Sequence, residues 1–304
     1  MTAHRLPTVT DPALQQQYQV LTTSSQREFA ENVGDWLSRR PVENNVLLVH
    51  AFDPAGVPPG PGEPVFAWVT DADGAIQGAA FARVPYRMPV SAMPAPAAVA
   101  LADELAVRLP GLAGVAGLAG VAGPTDTAEA FATRWAGRTG KAAHAEREQW
   151  LMSCTETVRP DAPGRPRMAT EADLDTVAEW FSAGMRDSGM SKDQIAQRAR
   201  QLAGGEIAGN RLLVWEDADG VPVGAAGWGL RLAGVVRPAG VFVAPDRRDE
   251  GWATVLLGEV TARALDNGAD ACVCTHYLKY ESMLAVVHKV GYRRLMDLTE
   301  YRFD

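Results

Sequence analysis

The chain has 304 residues, 47% of them hydrophobic and 22% charged, the make-up of a globular protein of about two domains. Lys and Arg number 29 against 37 Asp and Glu, and the formal charge of −8 argues against holding nucleic acid by bulk electrostatics. Three cysteines make no disulfide framework and point to a reducing cytoplasm, and residues 1–10 show no apolar core of a secretory signal.

In chain order, helices are predicted around 12–20 and 25–37, then a strand over 45–51. A Pro/Gly loop over 54–64 leads into a hairpin signal. There Asp71-Ala72-Asp73-Gly74-Ala75-Ile76-Gln77-Gly78-Ala79-Ala80 sits after the apolar run 65–70. Almost half the chain later the pattern returns as Asp217-Ala218-Asp219-Gly220-Val221-Pro222-Val223-Gly224-Ala225-Ala226, identical at seven of ten positions. Asp-Gly between β-like runs marks a tight hairpin, because Gly tolerates the positive φ of the turn. The recurrence predicts two copies of one α/β domain.

Gly111 to Ala116 repeats at once as Gly117 to Ala122. Such a run could cradle a phosphate, yet it offers no Lys, Arg, Ser or Thr, so a slipped duplication in a strand-to-helix connection is the better reading. The uncharged stretch 109–125 is Gly-rich and holds Pro110 and Pro124, which excludes a membrane span there. Residues 148–158 read as the last strand of the first domain. The prolines 160, 163 and 166 mark a linker, which gives domains over 1–159 and 166–304 joined by 160–165.

In the second half Thr170 and Asp173 open a helix, which Leu174, Val177, Ala178 and Phe181 continue at helical spacing. Another helix is predicted over 195–202, a hairpin over 212–215 and 221–228, and a short strand over 241–243. A helix over 252–265, a buried strand over 271–275, a helix over 281–290 closed by Gly291, and a strand over 294–303 complete the order. A mixed sheet with helices on both faces accounts for it.

The chemistry lies between Val241 and Thr254. A strand, Val241-Phe242-Val243, ends at Pro245; a turn, Arg248-Asp249-Glu250-Gly251, then opens a helix at Trp252-Ala253-Thr254. Amides of such a turn and of the first helical residues converge on one spot and suit an anion. Gly251 allows close backbone approach, Ala253 leaves the helix start uncrowded, and Arg248 adds a side chain for phosphate. The bland alternative is an ordinary strand-to-helix turn.

Here the chain resembles the GNAT superfamily of acyl-CoA-dependent N-acyltransferases. Arg248-x-x-Gly251-x-Ala253 matches their pyrophosphate-loop signature Arg/Gln-x-x-Gly-x-Gly/Ala, and Gly291-Tyr292-Arg293 and Glu300-Tyr301-Arg302-Phe303 follow the order of tandem members. The resemblance covers most of the chain. It implies an α/β (α+β) fold of two tandem GNAT-like domains, each a mixed, mostly antiparallel sheet with helices on both faces. It also implies an N-acyltransferase that moves an acyl group from acyl-CoA, first of all acetyl-CoA, to the primary amine of a small molecule. The donor is a co-substrate and no metal is implied. In this reading the pantetheine arm pairs with Val241, Phe242 and Val243, and the pyrophosphate sits on the segment from Arg248 to Thr254.

Two departures stand out. Asp249 and Glu250 occupy places where relatives carry Gly and a base, and carboxylates there would repel a diphosphate unless turned aside. Val287 stands four residues before Gly291, where relatives place a thiolate-protonating Tyr. Candidates for the proton chemistry are His276 as base, Tyr280 or Tyr277 as acid, and Glu281. Each has a structural alternative: a capping His, packed aromatics, and a carboxylate favouring a helix N-terminus. His288 falls on a different helix face from Val287. Cys272 and Cys274 share a face of one strand and, without further ligands at metal spacing, read as small buried residues. Trp68, Trp215 and Trp228 read as core, and Arg159, Arg165 and Arg167 are too sparse for a nucleic-acid surface.

The departures favour a second donor, aminoacyl-tRNA, although the net charge opposes tRNA as a partner. A third reading keeps the fold as a non-catalytic binding module. No Arg-x-x-Gly-x-Gly/Ala occurs at the corresponding place in the first half, so that domain is expected to bind no cofactor. A cytoplasmic monomer or homodimer without membrane attachment is expected.

Overall fold

The computed structural model describes residues 17–60, 62–109, 117–159, 161–185 and 191–304. The chain divides into two compact units, Met1–Glu148 with Asp297–Asp304, and Gln149–Met296. The division thus falls upstream of the proline-rich 160–165, and the chain's last residues return to the first unit. Composition marks the break in one place and packing in another, because β6 (Ala143–Cys154) starts in the first unit and ends in the second.

In the first unit β1 (Tyr18–Thr23), β2 (Val65–Asp71) and β3 (Ile76–Ala82) form an antiparallel sheet in that order. β4 (Arg87–Pro89) pairs in parallel with β5 (Gly120–Pro124), and β5 pairs antiparallel with residues 298–302 of β13 (Arg293–Phe303). The helices are α1 (Gln26–Ser38), α2 (Asn45–Phe52), α3 (Ala95–Arg108) and α4 (Thr125–Thr139). Leu101, Leu105, Phe131 and Trp135 from α3 and α4 are buried with Val69, Met88 and Phe303 of the strands.

Two expectations fail here. Residues 18–20, expected as the end of a helix, belong to strand β1, which runs in register from Tyr18 opposite Asp71 to Thr23 opposite Phe66. Tyr18, Val20, Thr22 and Thr23 fit a pleated surface better than a helix; residues 12–16 of that expected helix lie outside the described residues. Residues 45–51, expected as a strand, are helix α2. A short apolar run carries no period that separates a buried strand from a buried helix, and the neighbours decide. The Asn44 amide donates to the Arg40 carbonyl at 3.0 Å, and Gln26 Nε2 donates to the carbonyls of His50 and Asp53, both at 2.8 Å, near the helix C-terminus. The earlier Gly repeat, 111–116, lies outside the described residues.

The second unit has one antiparallel sheet in the order β11-β9-β8-β7: β11 (Pro238–Val243), β9 (Pro222–Trp228), β8 (Leu212–Glu216) and β7 (Arg165–Met168). β12 (Ala271–Tyr277) pairs antiparallel with residues 149–154 of β6, and in parallel with β10 (Val235–Val236). Leu212 and Val214 face α5 (Leu174–Gly184) and α6 (Lys192–Ala208), while Leu213 and Trp215 face α7 (Trp252–Asp266) and α8 (Glu281–Val290). The period of two thus builds a helix layer on each face.

The two repeated hairpins share more than sequence. Asp71 Oδ1 accepts from the amides of Asp73 and Ala75 at 3.0 and 2.9 Å, and Asp217 Oδ1 accepts from those of Asp219 and Val221 at 3.1 and 2.9 Å. Gly74 and Gly220 both stand at φ +78°, and each second strand carries a one-residue bulge at its second position.

The entry to the second unit is fixed by a charged clamp. Arg167 donates to both carboxylate oxygens of Asp173, at 2.7 and 2.8 Å, and to Glu216 at 2.6 Å. The Thr170 amide and hydroxyl bond the same carboxylate at 2.7 and 3.0 Å, closing a capping box. Arg167 is the main reason that the Asp173 carboxyl is held down at about 2, below its ordinary 3.8. A depressed carboxyl stabilises the fold above its unfolded value, and that contribution is lost as pH falls towards the folded value. Asp173→Asn is therefore expected to cost on the order of 1–2 kcal/mol at pH 7. In denaturant titrations the gap should close between pH 3.8 and about 2.

Candidate active site

The site begins where two parallel strands part. Val235 and Val236 of β10 pair with Ala271 and Cys272 of β12. Past Arg237 the chain turns to β9 instead: Pro238 and Ala239 pair with Trp228 and Gly227, then Phe242 and Val243 with Ala225 and Gly224. Between Ala239 and Phe242 the register shifts, and Gly240 stands at φ +56°, where a Cβ would also meet the Phe242 ring at 2.9 Å. β11 is therefore an edge strand on the side away from β9. Val241, Phe242 and Val243 lie on it, beside a gap that opens from Val236 and Cys272.

The loop after β11 completes the site. The Ala244 amide donates to the Val223 carbonyl at 2.9 Å, a turn over Pro245–Arg247 follows, and α7 begins after Gly251. Gly251 stands at φ +90°, and a Cβ there would meet nothing within 4 Å, so conformation rather than space requires glycine. Asp249 stands at φ +64°, a left-handed position that Asp tolerates better than most residues. That explains an Asp where a Gly was expected. Among the described residues the amides of 248–253 have no hydrogen-bond acceptor, whereas those of Thr254 and Val255 already donate to the Gly251 carbonyl at 3.0 and 3.4 Å. Unmatched donors at the positive end of a 15-residue helix are of the kind an anion can accept from.

The charge problem at Glu250 is answered by a neighbour. Arg247 donates to Glu250 Oε2 at 3.0 Å and to Asp217 Oδ2 at 2.8 Å, and Trp252 Nε1 donates to the same Glu250 oxygen at 2.9 Å. The Trp252 and Arg247 bonds hold the Glu250 carboxyl below its usual range; Arg247 does the same for Asp217. Glu250 is thus folded onto its own loop. In the first unit the equivalent Asp71 oxygen takes Gln77 Nε2 at 2.6 Å, so no arginine brace exists there. Arg248, Asp249, Glu250 and Gly251 are exposed, Trp252 is buried beside Trp215, and Ala253 and Thr254 are partly buried. Arg247 and Asp217 were not among the residues picked from sequence. The doubled arginine and the conserved geometry of the two hairpins are the only signals pointing to them.

Among the described residues the first unit shows neither feature. Its β4 takes a shorter path: Val90 bridges to Ala80 on one side, and its amide donates to the Ala122 carbonyl at 2.9 Å on the other. No gap opens. At the start of α3, Pro94 and Pro96 carry no N–H, and the Met93 amide donates to Thr127 Oγ1 at 3.1 Å.

The three residues proposed for proton chemistry gather at the end of β12 and the start of α8. His276 is 6% exposed, and its Nε2 meets the Tyr280 carbonyl at 3.0 Å. A carbonyl only accepts, so Nε2 carries the proton and Nδ1 keeps a lone pair. Burial lowers the His276 pKa, which keeps the ring neutral at pH 7. Tyr280 joins this group through its backbone; its side chain is 49% exposed, edge-on to Tyr277 at 6.1 Å, with Lys279 Nζ 4.9 Å from its ring centre. Glu281 is exposed on the first turn of α8. Val287 is 4% exposed in the core and His288 is exposed, its Nδ1 at 3.2 Å from the Tyr292 carbonyl. Cys272 is fully buried opposite Cys154, and burial pushes the Cys272 and Cys274 thiols up to about 12. Neither is a thiolate nucleophile at neutral pH.

No family model and no curated protein matches the chain. Solved structures do. A GCN5-related N-acetyltransferase from Sphaerobacter thermophilus is similar over 94% of this chain and 95% of its own, at 16% identity and TM-score 0.59. A GNAT-family acetyltransferase from Colwellia psychrerythraea is similar over 94% and 100%, at 13% identity and TM-score 0.58. A tandem GNAT protein from the clavulanic acid biosynthesis pathway is similar over 95% and 98%, at 11% identity and TM-score 0.53. At such identities the likeness is one of fold, and over nearly all of its length this chain has the fold of the tandem GNAT proteins.

Proposed function

We propose that the chain is an N-acyltransferase whose second unit takes an acyl group from acyl-CoA, acetyl-CoA first, to the primary amine of a small molecule. The observation that carries the reading is the cradle of acceptor-free amides at 248–253 lying just beyond the edge strand Val241–Val243. These amides and Arg248 would hold the diphosphate, and the unpaired main chain of β11 would hold the pantetheine amides. When bound, the thioester supplies an activated acyl carbonyl.

The amine must lose a proton to attack. His276 Nδ1 is the acceptor assigned to it, since the ring is neutral and its other nitrogen is fixed on the Tyr280 carbonyl. With Val287 unable to transfer a proton, the Tyr280 phenol is assigned to reprotonate the leaving sulfur. Glu281 offers negative charge to an approaching ammonium group. The first unit is read as holding no donor: at its helix start Pro94 and Pro96 carry no N–H and the Met93 amide is taken by Thr127 Oγ1. The acidic pair that spoke for aminoacyl-tRNA loses its force, since Arg247 neutralises Glu250 and Asp249 fits a backbone need. Among the described residues no helix is long and apolar enough to cross a membrane.

Calorimetry with acetyl-CoA, followed by thiol-release assays over a panel of amines, tests the reading. Micromolar to millimolar binding by wild-type protein and amine-dependent thiol release are expected, with the release lowered in His276→Ala and the binding of acetyl-CoA kept. Absence of binding at millimolar acetyl-CoA by folded protein would remove the basis of the assignment.

A further inference from the structure

We propose that Lys279 is itself an acyl acceptor: the protein transfers an acyl group from its thioester donor to the Lys279 side chain, one group per chain. The inference rests on the donor reading above and names a second destination for the same acyl group. Lysine is scarce in this chain. Of the 29 Lys and Arg residues only four are lysines, Lys141, Lys192, Lys279 and Lys289. One of them stands among the residues assigned to proton chemistry, on the turn that joins β12 to α8.

That turn is held at both ends. The Tyr280 amide donates to the Tyr277 carbonyl at 3.1 Å, and His276 Nε2 donates to the Tyr280 carbonyl at 3.0 Å. Lys279 lies within it, exposed, with Nζ 4.9 Å from the centre of the Tyr280 ring. Among the described residues no carboxylate forms an ion pair with Lys279, so none has to be broken before the amine is deprotonated. The strands bring the donor to the same place. Val235 stands opposite Ala271 and Val236 opposite Cys272 in the parallel pairing of β10 with β12. Carried past the parting, that register sets Gly240 and Val241 about level with His276 and Tyr277 across the gap. A thioester arm lying on β11 therefore faces the end of β12 and the turn that carries Lys279.

His276 Nδ1 takes a proton from the Lys279 ammonium, and the neutral Nζ attacks the thioester carbonyl carbon. A C–N bond forms and the C–S bond breaks. The sulfur leaves as a thiolate and takes the proton of the Tyr280 phenol, which is replaced by the second proton lost from the nitrogen. One ammonium and one thioester thus give one amide, one thiol and one proton, with no further reactant. An amide is a poor acyl donor, so transfer stops there.

The test is incubation of the intact protein with acetyl-CoA and no added amine, followed by mass spectrometry of the whole chain and of its peptides. One acetyl group per chain is expected, on Lys279, forming about tenfold or more faster than on Lys141, Lys192 or Lys289. Its rate constant should not change on dilution of the protein, as transfer within one chain requires. In His276→Gln, which can still donate to the Tyr280 carbonyl but has no basic nitrogen, Lys279 should be labelled no faster than the other three. Lys279→Arg should bind acetyl-CoA and gain no acetyl group at this speed. Equal labelling of all four lysines by protein that binds acetyl-CoA overturns the inference alone, as does a rate constant proportional to protein concentration, or Lys279 labelling that is unchanged in His276→Gln. Protein that neither binds acetyl-CoA nor gains an acetyl group overturns the donor reading and this inference with it.

Discussion

Ala253→Pro is expected to raise the Kd for acetyl-CoA by about 10- to 100-fold while the protein stays folded. Ala253 is the second residue of α7, and its amide is one of the donors left without an acceptor. A proline there removes that single N–H. A hydrogen bond to a charged group contributes about 1.5–3 kcal/mol, which sets the size of the effect. The first turn of a helix tolerates proline, because its amides have no intrahelical partner to lose. The protein already displays the arrangement: Pro96 is the second residue of α3. Ala253→Gly keeps the amide and should bind nearly as wild type. If Ala253→Pro binds unchanged with intact circular dichroism, this amide does not touch the ligand.

Arg247→Ala should weaken acetyl-CoA binding roughly tenfold, the effect of one released charge several ångströms from a diphosphate near a protein surface. Arg247 need not touch the donor to matter. It draws the Glu250 carboxylate onto the loop and ties that loop to Asp217 in the β8–β9 hairpin. Without it, Glu250 retains only the Trp252 Nε1 bond and is free to turn towards the anion site. The double variant Arg247→Ala/Glu250→Gln should then recover most of the loss, and the single-variant defect should shrink in high salt. A double variant as weak as Arg247→Ala alone would mean that Arg247 contacts the ligand directly.

Much of this arrangement can be read from residue types, and the rest cannot for definite reasons. The signature Arg248-x-x-Gly251-x-Ala253 marks the turn between β11 and α7, since Gly251 does adopt a conformation that residues with side chains rarely take. The repeated Asp-Gly hairpins announce a duplication, and both copies use the same carboxylate-to-amide bonds. By contrast, residues 45–51 read as a strand because seven largely apolar residues carry no decisive period; only the contacts around Asn44 and Gln26 make them helical. Residues 18–23 join β2, a partner more than forty positions away, which no local pattern announces. The Arg247 brace joins residues 30 positions apart and is likewise invisible locally. Glu250 read as a liability because its partner could not be seen. His276 was legible as a residue poised at a strand end, but the fixing of its tautomer by a main-chain carbonyl needed coordinates.

Hydrogen–deuterium exchange of the intact protein, with and without acetyl-CoA, addresses the central claim most directly. Amides at 248–253 that lack intramolecular acceptors should exchange quickly in the free protein and slow markedly on saturation. Peptides covering the start of α3, with Pro94 and Pro96, should show no change. Acetyl-CoA that binds while the 248–253 amides exchange at their free rate would contradict the account, as would protection at the first unit's helix start instead.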